Sequence, residues 1–101
     1  MVIVVVSIRV KEGRVQELLE TFNANVPNVL AEEGCIEYFA AVDLPTGLPP
    51  QSVDADVVTI CEKWESLDAL KRHLATPHMK AYGAKTKEMV AGRELKILQK
   101  A

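Results

Sequence analysis

The sequence predicts an α+β fold of the ferredoxin-like type, β-α-β-β-α-α-β, as one domain over residues 1–101. Three observations carry this. Strand-like runs rich in β-branched and apolar residues open and close the chain and occur twice between. Three stretches instead space their apolar residues by three and four, the period of a helix face. Glycine- and proline-bearing segments punctuate the series where the chain must turn.

Val2–Val10, "VIVVVSIRV", is almost continuously apolar and ends at the turn "KEG", Lys11–Gly13, so it reads as the first strand. Val15, Leu18, Leu19, Phe22, Val26, Val29 and Leu30 then mark one face of a helix of about four turns. Pro27 removes a backbone donor inside it and predicts a kink or two abutting helices, with Gly34 as the expected C-terminal cap. "CIEYFAAVD", Cys35–Asp43, is the second strand, and "LPTGLPPQSVDA" is a loop. The stretch Leu44–Ser52 is long for a hairpin connection, which points to a lid or an interface element. "DVVTICEKW", Asp56–Trp64, is the third strand. Ser66 caps a short helix with Leu67, Leu70 and Leu74 as its apolar face. Thr76 caps the next, with Pro77 at its first position, where a missing N–H costs nothing. Met79, Tyr82, Thr86, Met89 and Val90 form its buried stripe, Gly92 ends it, and "RELKILQ", Arg93–Gln99, is the fourth strand.

A lone domain of this type wets one face of its sheet, so its strands should alternate apolar and polar residues. The first strand is apolar on both faces: Val4, Val6, Ile8 and Val10 on one, Ile3 and Val5 on the other. The second and third strands also carry apolar side chains on both faces. A second copy packed sheet to sheet would bury the surplus, so a homodimer is expected.

Composition narrows the function. Twelve basic against 14 acidic residues leave a net charge of −2, with no basic run that would serve nucleic acid or an anionic membrane. The apolar N-terminal run is far shorter than the roughly 20 residues of a membrane span. It lacks the basic start and small-residue cleavage site of a signal peptide, so a cytoplasmic protein with a small-molecule or protein partner is expected. Cys35 and Cys61 lack a CxxC partner or neighbouring ligands and read as buried free thiols.

Three segments have a family character. "VPNVLAEEGCIEYFAAVD" (Val26–Asp43), "ICEKWESLDALKRHLATPHMKAYG" (Ile60–Gly83) and "LKILQ" (Leu95–Gln99) together resemble the antibiotic biosynthesis monooxygenase (ABM) family, in order and with little shift in spacing. The resemblance runs over essentially the whole chain and is nearest to the branch that oxidises menadiol-type quinols. It implies a dimeric α+β barrel with a pocket between sheet and helices in each subunit. It also implies an oxygenase needing neither metal nor flavin, in which a deprotonated quinol or related aromatic reduces O2. The protein's part is then to orient the ring, exclude water and take a proton.

Both histidines lie in "KRHLATPHMKAYG", Lys71–Gly83. His78 follows Pro77 near a helix start, where the positive end of the helix dipole disfavours an imidazolium and leaves a ring able to accept a proton. His73 flanks the Leu67–Leu70–Leu74 stripe and either faces the pocket or packs as a core histidine. Catalysis is expected from one of the two. A metal pair is not, because Pro77 breaks the helix between them. Trp64, at the end of its strand, and Tyr82, on the third-helix stripe, are candidate pocket walls, each also readable as plain core. Ser7 and Arg9 share a strand face, where the cation could stabilise a quinolate or form a surface ion pair. Haem-degrading members of the family carry an Asn in the first strand, a Trp at the place of His73 and a His at the place of Tyr82. This chain departs at all three, and the comparison implies that positions 73 and 82 face the pocket. A different class of function stays open: a barrel that binds or isomerises a small molecule of the phosphorylated-autoinducer kind without oxygen. That reading needs Lys85 and Arg93 turned inward together.

Overall fold

The computed structural model describes residues 1–101 and contains the expected series: β1 (Val2–Val10), α1 (Val15–Leu30), β2 (Cys35–Val42), β3 (Val57–Trp64), α2 (Leu67–Leu74), α3 (Pro77–Thr86), a 3-10 turn (Lys87–Met89) and β4 (Val90–Leu98). The four strands form one antiparallel sheet in the order β2-β3-β1-β4. The three helices cover one of its faces. No helix is long and apolar enough to cross a membrane.

Register decides which residues meet the helices. Tyr38, Glu62, Val4 and Ile97 form one row across the sheet, and Ala40, Ile60, Val6 and Leu95 the next. A third row holds Val42, Val58, Ile8 and Arg93. Successive strand residues alternate faces, so these rows share the helix-covered side. There Val4, Ile8, Val58, Ile60, Tyr38 and Trp64 pack with Leu18, Phe22 and Val29 of α1 and Ala69 and Leu70 of α2. Phe22 and Tyr38 stack with centroids 5.0 Å apart, joining α1 to the sheet.

Four local expectations are corrected. α1 runs unbroken through Pro27, because the proline lies in the last turn, where few i→i−4 bonds remain to be lost. Ala31 ends the helix, and Gly34 serves the turn into β2. Gly34 has φ +88°, and a Cβ there would lie 2.6 Å from Ala69 Cβ, so only glycine allows this approach to α2. Gly92 lies inside β4, beside a register shift at Arg9/Val10, where it interrupts no helix. Thr76 precedes α3, but its hydroxyl donates backwards to His73 O at 2.8 Å and closes α2 instead. Ser66 does cap α2, accepting from Ala69 N at 3.1 Å.

The buried face of α2 is Ala69, Leu70 and His73, whereas Leu67 and Leu74 are largely exposed. The stripe is rotated toward His73 because the Gly34 turn packs on Ala69. Cys35 and Cys61 are free and half-buried rather than fully enclosed, and burial pushes the Cys35 thiol up. Residues 43–56 link β2 to β3. Their main ties are Asp54 N to Asp43 Oδ2 at 2.8 Å and Gln51 Nε2 to Leu44 O at 2.8 Å, while Leu44, Leu48 and Val53 stand exposed.

Candidate active site

Between the helices and the first rows of the sheet lies a cavity of about 180 Å³. Val4, Val6, Ile8 and Ile60 make its floor, Phe22, Tyr38 and Tyr82 supply aromatic edges, and Leu70, Met79 and Leu74 its roof. Leu95 and Ile97 of β4 stand on the same face but remain 57% and 50% exposed, so the cavity opens along that edge. Only Glu62, His73 and Arg93 break the apolar and aromatic wall.

His73 is 1% exposed, and its ring lies 4.5 Å from that of Trp64 and 5.5 Å from that of Tyr38. Its Nδ1 meets Glu32 Oε2 at 2.8 Å. His78 approaches the same oxygen from α3, with Nε2 at 3.1 Å. The second contact is close but misaligned for a hydrogen bond, and leaves Nε2 of His78 without a proper partner. The two rings are 6.4 Å apart with Glu32 between them. Both nitrogens thus sit at hydrogen-bond range from one carboxylate oxygen, and no group of three His, Cys, Asp or Glu side chains is arranged to hold a metal.

Glu62 is 7% exposed in the cavity wall. Trp64 Nε1–H donates to its Oε1 at 2.9 Å, and the other oxygen has no protein hydrogen bond. Burial pushes the Glu62 carboxyl above the ordinary carboxylate range, against the opposing pull of the Trp64 hydrogen bond and the nearby His73. Burial likewise raises the hydroxyls of Tyr38 and Tyr82, and Arg93 partly offsets the effect on Tyr82.

The sequence-predicted residues therefore separate. His73 and Tyr82 reach the cavity. Trp64 does not line it: fully buried behind it, it holds Glu62 and packs on His73. His78 lies outside the cavity, at a polar crevice between α1 and α3 that also includes Asn25, Asn28 and Lys85. Ser7 and Arg9 lie on the opposite face of the sheet, where Arg9 pairs with Asp54 at 2.8 Å. An odd-numbered residue of β1 cannot reach a cavity lined by Val4, Val6 and Ile8. No residue of the 43–56 loop lines the cavity. Glu32 and Glu62 were not among the expected site residues, and Arg93 was named only for the phosphorylated-ligand alternative. The signal for Glu62 was an acidic residue in phase with the core residues Val58 and Ile60, and Glu32 stood in the quoted "EEGC".

The fold and this site define a small ferredoxin-like protein with a largely apolar, aromatic-edged cavity and acid–base side chains in its wall. The chain belongs to the antibiotic biosynthesis monooxygenase family, whose model matches residues 1–85. It is 42% identical to the "Probable quinol monooxygenase YgiN" of Escherichia coli, over 98% of this chain and 97% of that protein. Among solved structures, a conserved protein of Methanosarcina mazei superposes with TM-score 0.86 at 26% identity, covering 99% of this chain and 92% of its own. PA3566 of Pseudomonas aeruginosa superposes with TM-score 0.83 at 21% identity, covering 99% and 93%, and speaks for the fold alone.

Proposed function

We propose that this protein is a homodimeric, cofactor-independent monooxygenase that oxidises a quinol or closely related hydroxylated aromatic with O2. The observation that carries the reading is a cavity walled by aromatic and aliphatic groups, its polarity confined to His73, Glu62, Arg93 and the hydroxyl-bearing rings of Tyr38 and Tyr82. A cavity of about 150 Å³ already holds a benzene ring. One of 180 Å³ with an open edge therefore suits a substituted ring.

His73 takes the proton of a ring hydroxyl, which leaves an electron-rich quinolate. The quinolate passes one electron to O2, giving a semiquinone and superoxide. Recombination forms a ring C–O bond, and loss of water from the peroxide gives a hydroxylated quinone. Alternatively, a second electron and proton give the quinone and hydrogen peroxide. Arg93 at the mouth stabilises the anion, and Glu62 hydrogen-bonds a substrate oxygen. Exclusion of water strengthens each of these interactions.

The dimer is supported by an apolar cluster on the uncovered sheet face, where Phe39, Cys61 and Val5 share a row with Lys96, and Ile3 and Leu98 share the next with Lys63 and Glu37. The other end of that face is polar, with Thr59, Ser7, Glu94 and Arg9, so the apolar surplus is a patch and not the whole face. The phosphate-binding alternative finds less support: Arg93 turns to the cavity, but Lys85 lines the crevice between α1 and α3.

The test is O2 consumption by metal-stripped protein given chemically reduced menadione. Protein-dependent uptake that collapses in His73→Ala and persists in His78→Ala is the expected result. Uptake no faster than the spontaneous rate would sink the oxygenase reading and favour a binding or isomerising role.

A further inference from the structure

We infer that Glu32 is the positioning residue of the site: its carboxylate holds the His73 ring with Nδ1–H turned away from the cavity, leaving Nε2 to act on the substrate. The inference rests on the quinol-oxidising reading above, and it fixes which histidine nitrogen does the work.

Glu32 stands in the turn between α1 and β2, with its side chain 14% exposed. An ionised carboxylate only accepts hydrogen bonds, so the nitrogen 2.8 Å from Oε2, His73 Nδ1, carries the proton. Nε2 then holds the lone pair, and it is the one nitrogen of this cavity-lining ring without a protein partner. The other histidine is fixed the opposite way. Asn28 Nδ2 donates to Asn25 Oδ1 at 3.0 Å, which turns Asn25 Nδ2 toward His78 Nδ1 at 3.1 Å. His78 Nδ1 therefore accepts, and its Nε2–H lies on the Glu32 side. Only the His73 N–H is aligned on the carboxylate, the His78 Nε2–H lying close to it without a hydrogen bond, and only the His73 ring lines the cavity.

The proton balance is simple. The substrate O–H bond breaks, the His73 Nε2–H bond forms, and the ring becomes an imidazolium with Nδ1–H unchanged. Glu32 faces that new charge where little water reaches, so the charge-separated state is stabilised without any group moving. The proton on Nε2 is then available to the reduced oxygen.

Two backbone features set the Glu32–His73 spacing. Glu65 N donates to Gly34 O at 2.8 Å, tying the turn that carries Glu32 to the end of β3, just before α2. Gly34 itself packs directly on Ala69 of α2, one helical turn before His73. The carboxylate and the imidazole are thus held by one rigid corner rather than by two flexible side chains.

The test is long-range 1H–15N spectroscopy of protein labelled at histidine, with His78→Gln used to assign the two rings. At a pH where the ring is neutral, the expected result is an Nδ1–H tautomer for His73 that shifts toward Nε2–H in Glu32→Gln. With reduced menadione, Glu32→Gln should lose about 100-fold in kcat with KM held within about two-fold, as when an orienting carboxylate is neutralised. Glu32→Asp, which keeps the charge, should recover part of the loss. Menadione binding, read by quenching of the single tryptophan, should persist in each variant and shows that the variants fold. An Nε2–H tautomer in the wild type, or unchanged kcat in Glu32→Gln, would overturn the inference. Wild-type protein that does not outpace the spontaneous rate would instead overturn the quinol reading, while the tautomer still decides the role of Glu32.

Discussion

The two faces of the sheet are made by the same strands, and they differ in what interrupts their apolar character. On the helix-covered side the polar groups within the core are buried and partnered: Glu62 of β3 and His73 of α2 sit among Val4, Tyr38, Ile60 and Trp64, while Arg93 of β4 stands exposed at the cavity mouth. On the uncovered face they are solvated, as with Arg9 and its surface pair with Asp54. A charge at the surface costs little and does little, whereas a buried polar group survives only when its surroundings support it. The proposed chemistry lies on one face and the proposed association on the other, and the predictions that follow set the two apart.

The largest effect is expected from His73→Ala. It should lower kcat for reduced menadione by about 100-fold or more in an oxygen-electrode assay, in line with removal of a general base. His78→Ala should lose about ten-fold or less. Next is a change confined to the other face. Phe39→Asp puts two carboxylates into a two-fold interface, and sedimentation equilibrium should show dimer dissociation stronger by about 100-fold or more. A Phe39→Asp protein that remains a dimer would place the interface elsewhere.

The third prediction concerns stability. Glu62 has a carboxyl raised above the ordinary value of about 4.3. Above that value the unfolded chain has released this proton while the folded chain still holds it. Stability therefore falls as pH rises through the window between the ordinary and the raised value, and is complete below it. Glu62→Gln lacks this dependence and should be more stable than wild type at neutral pH by about 1 kcal/mol or more, read from urea melts, while turning over more slowly. Equal stability of the two proteins across pH 4–8 would show that Glu62 is better solvated than its position indicates. The smallest effect is expected from Arg9→Ala, whose exposed ion pair should leave kcat/KM within about two-fold of wild type. A larger loss would mean that the uncovered face takes part in turnover.

Element order, strand identity and the helix periods were legible in the sequence because each rests on local spacing. Pro27 and Gly92 misled because their effect depends on place: a proline in the last helical turn breaks little, and a glycine beside a strand irregularity breaks nothing. The cavity was legible in part. His73 and Tyr82 reach it, but Ser7 and Arg9 share the strand face that alternation turns away from it. Trp64 belongs to the site from behind the cavity, through its indole N–H on Glu62 and its ring against His73 instead of as a cavity wall, a distinction that composition does not carry. Glu32 and Glu62 were missed because each looks like an ordinary surface acid until the fold brings an imidazole or an indole N–H to it. The Glu32–His73 contact joins residues 41 positions apart and no local pattern announces it, whereas Glu62 and Trp64 stand two residues apart on one strand face, where the phase with Val58 and Ile60 carried a signal.

Leu95 and Ile97 are at once the fourth wall of the cavity and part of the outer surface of β4. Whatever shields that edge decides how much water shares the cavity with the substrate. If the shield is a second copy of the chain, protection follows the law of mass action. Turnover per subunit should then decline on dilution, and reactive oxygen should escape in greater proportion as the copies part.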